Sequence, residues 1–353
     1  MKDLTYGSVC SGIEAVSVAW SGLNLKPIWF SEIEPFPCAV LAHHYPTIPN
    51  HGDMTTLPER ILSGEIEAPD ILVGGTPCQA FSVAGLRNSL NDERGNLTLV
   101  FVRILNAINT IRRRYGLPDA VVLWENVPGV LSTRDNAFGC FLAALLGESK
   151  ELVPTGGRWT GAGIVRSDEC EIAWRILDAQ YFGVPQRRRR VFLVAGSRNR
   201  RIAEILFERP GESGNIKTGR KKGKESSAFI ESSFGTYRKS DVGGTVKRTG
   251  GALSGGSETL IVNIGATLST GFGGRGVDAD QICNGNCVIN YPKVRKLTPI
   301  ECERLQGFPD NYTRIPWRSK TAEQCPDTPR YMAIGNSMAV PVMRWIGERM
   351  CKA

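Results

Sequence analysis

The chain has 353 residues, 41% of them hydrophobic, which is enough for a full enzyme core plus a smaller companion and excludes a disordered chain. A formal net charge of +8 favours a polyanionic partner. No run of about 18 apolar residues occurs, so no membrane-spanning helix is expected. The start Met1-Lys2-Asp3-Leu4 carries no apolar leader, and a soluble cytoplasmic protein without membrane attachment is predicted. The 10 cysteines are scattered from Cys10 to Cys351, as reduced thiols are. Cys283 and Cys287 sit among Gly and Asn with no histidine near, so no metal is expected. All 3 histidines, His43, His44 and His51, fall in one stretch, which disfavours a Ser-His-Asp or Cys-His hydrolase.

The first half alternates strand-like and helix-like apolar runs, the pattern of a doubly wound α/β sheet. Leu4 to Val9 is the first predicted strand, and Cys10-Ser11-Gly12-Ile13-Glu14-Ala15 turns from it into a helix. Ligands of such sheets bind at the carboxyl ends of strands, where a small residue lets a cofactor approach. Pro27 to Phe30 is the second strand. Glu32, followed by Ile33, lies about 20 residues beyond Gly12, where an acid can accept both ribose hydroxyls. Asp53, followed by Met54, ends a third segment and can accept from an adenine amine. Each acid alone fits a cap or a turn equally well.

Ile71 to Gly74 is a further strand, and it runs into Gly74-Gly75-Thr76-Pro77-Cys78-Gln79-Ala80-Phe81-Ser82. A thiol at a strand end lies on the ligand edge of the sheet; Pro77 stiffens its approach and the glycines leave room for a substrate. From these residues alone Cys78 is either a nucleophile or a small buried hydrophobe. Leu97, Val100, Phe101, Ile104, Leu105, Ile108 and Ile111 recur at helical spacing and predict a helix face laid on the sheet. Val121 to Trp124 is the next strand, from whose end Glu125 and Asn126 emerge together, suited to hydrogen-bonding a planar base edge. The run Gln186-Arg187-Arg188-Arg189-Arg190 enters the strand Val191 to Ala195. Alternation places Arg188 and Arg190 on one face and Arg187 and Arg189 on the other.

From about Arg198 to Pro292 the composition turns to Gly, Ser, Lys and Arg, with short apolar pieces such as Thr259 to Ile264, and reads as a small, loop-rich, partly β domain. The run Arg220-Lys221-Lys222-Gly223-Lys224 is a solvated or phosphate-contacting loop. Helical patterns return in Pro299 to Leu305 and Ser337 to Met350.

Taken in order, Pro77-Cys78-Gln79, Glu125-Asn126-Val127, Gln186 to Arg190, Arg295 to Cys302 with Gln306-Gly307-Phe308-Pro309, and Gly335-Asn336-Ser337 resemble the motif blocks of the C5 cytosine DNA methyltransferases of bacteria and phages. The ordered set spans nearly the whole chain. The resemblance implies a Rossmann-like S-adenosylmethionine-dependent methyltransferase domain, residues 1–195 completed by 330–353. A target-recognition domain over 196–295 and a hinge segment over 296–329 would complete the chain. Two residues depart from the family pattern: Cys10 stands where an aromatic residue is common, and Glu14 where Gly is common.

The resemblance makes Cys78 the nucleophile on cytosine C6. Glu125 would hold N3, Arg188 the base or its O2, with Arg190 beside it; Asn126 would support the loop around Cys78, and Gln79 would join the catalytic set. Cys10, Gly12, Ile13, Glu32, Ile33, Asp53, Met54, Pro77, Asn336 and Ser337 would form the S-adenosylmethionine site. Gln79, Ser82, Arg188 and Arg275 would meet double-stranded DNA, Arg275 because its flanking glycines permit close backbone approach. A monomer is expected, with any cognate restriction endonuclease forming no stable complex with it. A zinc cytosine deaminase would need a Pro-Cys-x-x-Cys, and here Cys78 is followed by Gln79-Ala80-Phe81. A catalytically silent DNA-binding protein and an RNA substrate are the remaining alternatives.

Overall fold

The computed structural model describes residues 3–77, 97–208, 228–233, 236–240, 259–263 and 293–353. They fall into two compact units, the first made of Met1–Asp178, Arg189–Asn215 and Met338–Ala353, the second of Ala179–Arg188 and Ile216–Ser337.

The first unit is built on a seven-stranded sheet. β1 (Leu4–Val9), β2 (Leu25–Ser31), β3 (Ile71–Gly74) and β4 (Val121–Asn126) run parallel in the order β2-β1-β3-β4. β7 (Arg189–Ser197), β6 (Cys170–Asp178) and β5 (Ala162–Arg166) extend it antiparallel from β4. The chain winds outward from β1 to β2 and then returns to β3 on the other side of β1. That reversal opens a crevice at the carboxyl ends of β1 and β3, where ligands of open α/β sheets bind.

Helices cover both faces. α1 (Ala15–Trp20) packs on α9 (Val340–Met350), which packs on α6 (Ile202–Leu206). α3 (Leu57–Leu62), α4 (Leu97–Arg114) and α5 (Ala137–Leu146) pack in turn on the opposite face, while α2 spans Pro35–His44. On β4 the side chains of Val122 and Trp124 join the core with Phe101, Ile104 and Phe141, while Val121 and Leu123 are buried on the other face. The apolar stripe of α4 is thus core, with Leu97 and Ile111 at its margin. Burying one such side chain contributes about 1.5–3 kcal/mol.

The second unit holds a four-stranded antiparallel sheet in the order β11 (Lys293–Lys296), β10 (Thr259–Asn263), β8 (Ala228–Ser233), β9 (Thr236–Ser240). α7 (Pro299–Gln306) starts with a capping box in which Thr298 and Glu301 satisfy each other's backbone amides. α8 (Asp327–Asn336) is fixed through Arg330, whose guanidinium reaches the fully buried Glu303 carboxylate (3.3 Å) and the Thr313 hydroxyl (3.0 Å). α6, which lies within the stretch 196–295, belongs to the first unit. Among the described residues no helix is long and apolar enough to cross a membrane.

Candidate active site

At the end of β1 the backbone takes three left-handed steps within five residues, Cys10 at φ 49°, Gly12 at φ 58° and Glu14 at φ 58°. Two of the three are not glycine, and such clustered strain marks functional turns. Glu14 offsets part of the cost as the cap of α1, its Oε2 accepting from Ser17 N (2.9 Å) and Ser17 Oγ (2.7 Å).

The turn brings Gly12 N to Glu32, at the end of β2, donating to Oε2 at 2.7 Å. Glu32 Oε1 accepts from the amides of Ile33 (2.9 Å) and Glu34 (2.8 Å). A carboxylate has about four lone-pair sites, so three amides leave one for a ligand hydroxyl. A carboxylate held rigidly beside Gly12, where among the described residues nothing lies within 4 Å of an added Cβ, suits the ribose of a nucleoside cofactor. Ile33, 68% exposed next to it, offers an apolar surface. Asp53 is exposed; its Oδ1 caps Thr55 N (2.9 Å). Met54 is buried, with its Sδ 3.7 Å from the Cys10 thiol. Ile13 is fully buried, so its side chain belongs to the core and only its backbone faces the turn. Burial, and then the neighbouring Glu32 charge, push the Cys10 thiol up to about 12, and it stays protonated.

The second half of the site lies at the ends of β3 and β4. A Cβ on Gly75 would stand 3.2 Å from Met338 Cε and 3.3 Å from Glu125 Oε2, a tight approach to both. Glu125 Oε1 pairs with Arg190 Nε at 3.2 Å. Asn126 is buried; its Nδ2 donates to the Thr76 carbonyl (2.9 Å), and its Oδ1 accepts from Val127 N (2.8 Å). Pro77 follows, exposed. Cys78, Gln79, Ser82, Arg275, Cys283 and Cys287 lie outside the described residues. Among the described residues no cluster of His, Cys, Asp and Glu is arranged to hold a metal ion.

The expected alternation of the arginines is present: Arg187 and Arg189 are exposed, Arg188 is buried and Arg190 intermediate. The two inward arginines do different work. Arg188, expected at the base, is 3% exposed and spends its Nη2 on the carbonyls of Gly335 (3.1 Å) and Ser337 (2.6 Å). Gln306 Nε2 joins it at Ile334 O (2.9 Å) and Ser337 O (3.3 Å). These are carbonyls at the end of α8, which the helix itself cannot satisfy, and a cation there also suits the helix dipole. Asn336 is exposed and Ser337 buried, both in the second unit. Sequence reasoning missed Met338, and also Asn50, whose side chain holds the Glu32 backbone at both N (2.9 Å) and O (3.1 Å). Neither belongs to a motif, and only the fold brings them to the site.

Residues 4–150 and 165–352 match the family described as C-5 cytosine-specific DNA methylase. A protein of Escherichia phage P1 named DNA N-6-adenine-methyltransferase is 41% identical across all of this chain, which spans 62% of that protein's length. The Type II methyltransferase M.HpaII of Haemophilus parainfluenzae is 28% identical over 99% of the chain and 89% of its own length. Among solved structures, the Dnmt2 methyltransferase of S. pombe has a TM-score of 0.62 at 17% identity, covering 98% of both chains, a likeness of fold. The fold is that of the S-adenosylmethionine-dependent methyltransferases, α/β with a mixed seven-stranded sheet, and the chain belongs to the C5 cytosine-specific DNA methyltransferase family.

Proposed function

We propose that this chain transfers a methyl group from S-adenosylmethionine to C5 of a cytosine flipped out of a specific double-stranded DNA sequence, through a covalent bond between Cys78 and C6. The observation that carries the reading is the Glu125–Arg190 pair set against Gly75, two residues before Pro77-Cys78. Cytosine C5 is a poor nucleophile. Addition of the Cys78 thiolate to C6 breaks the C5–C6 double bond and makes C5 enamine-like. The cofactor, held by Glu32, Asp53 and the turn Cys10 to Ile13, supplies an electrophilic methyl group. Once C5 is methylated, its proton leaves to water and the thiolate departs from C6, restoring the ring. Glu125 holds N3 as charge develops there, and Arg190 orients Glu125 and faces O2; Arg188, turned onto the end of α8, supports rather than contacts the base. Flipping costs about a few kcal/mol, offset by pocket contacts.

Residues 196–295 choose the DNA sequence, in keeping with their Lys, Arg, Gly and Ser content. Replacing that stretch with that of a relative of different specificity should move methylation to the relative's site. The protein acts in the cytoplasm as a monomer, without a stable endonuclease complex.

Bisulfite sequencing of DNA from cells expressing the chain tests the reading: one short sequence should be protected, and Cys78→Ala should abolish protection. Full protection with Cys78→Ala would sink the covalent step. The name of the phage P1 relative favours a second reading, methylation of adenine N6. An exocyclic amine is its own nucleophile and needs no thiol, so N6-methyladenine that survives Cys78→Ala would establish it.

A further inference from the structure

Three buried polar side chains outside the chemistry just described meet at Thr76. The Trp124 indole Nε1 donates to Thr76 Oγ1 at 2.9 Å, and Thr76 Oγ1 lies 3.0 Å from Thr98 Oγ1. Trp124, Thr76 and Thr98 are 1%, 2% and 3% exposed. They come from β4, from the end of β3 and from the first turn of α4. The Thr76 carbonyl is held separately by Asn126 Nδ2 at 2.9 Å.

Together these contacts restrict the backbone that precedes Cys78. The hydroxyl fixes the Thr76 side chain on the sheet, and the carbonyl bond fixes its ψ. The peptide to Pro77 is planar and the ring locks the φ of Pro77 near −65°. One soft torsion, the ψ of Pro77, then remains before the Cα of Cys78. Thr98 ties α4 to the same point, two residues beyond the segment 78–96.

We infer that Thr76, clamped between the Trp124 indole and the Thr98 hydroxyl, is a positioning residue that sets the attack geometry of Cys78. The inference rests on the reading of Cys78 as nucleophile. A satisfied buried hydroxyl could serve stability alone. The two roles separate in kinetics, because misplacing a nucleophile slows bond formation without loosening the ligands.

The test uses the full chain with saturating S-adenosylmethionine and DNA carrying the bisulfite-mapped site. Adduct formation is followed on 5-fluorocytosine, alongside single-turnover methylation. Thr76→Val keeps the branched shape and deletes the hydroxyl. It should slow adduct formation and kcat by at least about tenfold, with the KM for DNA and the Kd for cofactor within about twofold of the parent. Thr76→Ser, which keeps the hydroxyl, should recover most of the rate. A Thr76→Val protein that forms the adduct at the parent rate overturns the inference, as does a Thr76→Ser protein equally slow. If Thr76→Val does not fold, Trp124→Phe and Thr98→Val remove the partners instead, and parent kinetics in both overturn it. Cys78→Ala separates the premises: if it still methylates, the nucleophile reading itself fails. If it is inert while Thr76→Val is unimpaired, only the positioning role fails.

Discussion

Arg190 and Glu125 are diagonal neighbours on one face of an antiparallel strand pair. Glu125 is opposite Phe192 in the register of β4 and β7, and Arg190 lies two residues before Phe192, on the same side of the strand. The register thus puts the two side chains on one face, where guanidinium and carboxylate stand 3.2 Å apart and are only 17% and 13% exposed. Solvent screens such a pair poorly, so on the proposed reading it would meet the base already oriented.

Glu125→Gln should lower the single-turnover methylation rate by about 100-fold or more, with cofactor affinity unchanged. Arg190→Ala should also be slow, because it leaves the carboxylate unoriented. The double variant should be no slower than the worse single one, as for residues that act as a unit. Fully additive losses would show that the two act on the base separately.

On the proposed cofactor side, Asn50 positions Glu32. Its Oδ1 accepts from Glu32 N and its Nδ2 donates to Glu32 O, holding the strand end that carries the carboxylate. Glu32→Ala should weaken S-adenosylmethionine binding by about 1–3 kcal/mol, and Asn50→Ala by about 1 kcal/mol, because it touches only the support. Calorimetry giving equal losses for the two would place Asn50 in contact with the ligand. No loss in Glu32→Ala would place the ribose elsewhere.

Legibility followed local pattern. β3 and the α4 stripe stand out because an apolar run ending in Gly, or apolar residues recurring at helical spacing, carry their own signal. β5 and β6 did not stand out. β5 is a half-exposed edge strand, Ala-Gly-Ile-Val-Arg, and β6 is buried through Ile172, Ala173 and Trp174 with no alternation to betray it. The placement of Glu32 and Glu125 at strand ends could be read from the sequence. The division of labour between Arg188 and Arg190 could not, since both are inward residues of one alternating run. Which one meets a helix end and which a carboxylate depends on α8 and β4, distant in sequence.

Gly347 in α9 tests packing apart from chemistry. A Cβ there would lie 2.3 Å from Trp20 Nε1, and that indole donates to Met343 O at 2.9 Å, one helical turn earlier. Helix propensity favours Gly347→Ala by about 0.8–1.0 kcal/mol. Overpacking against a fully buried indole costs about 1–3 kcal/mol. The clash should win, and thermal unfolding should show a lower Tm for Gly347→Ala. A higher Tm would mean that α1 and α9 separate without cost.

Glu14 gives a prediction in pH. It is fully buried, and burial raises its carboxyl above the ordinary range, opposed by hydrogen bonds from the Ser8 side chain and then from Ser17. Ser17 Oγ also meets Tyr6 Oη at 2.6 Å, and Tyr6, itself raised well above its usual value, stays neutral throughout the relevant range. Between the unfolded carboxyl value of about 4.3 and the raised folded value, the folded chain keeps a proton that the unfolded chain has lost. Stability then falls as pH rises through this window, and the contribution present at low pH is gone once the folded value is passed. Glu14→Gln removes the titration, leaves the left-handed backbone equally strained, and retains a carbonyl oxygen for Ser17 N. The Tm of Glu14→Gln minus that of the parent should therefore climb as pH is raised from about 4 through the folded value, then level off. A difference that is flat over that range would show that Glu14 folds with its carboxyl at an ordinary value. A falling one would show that its charged form is the one the turn stabilises.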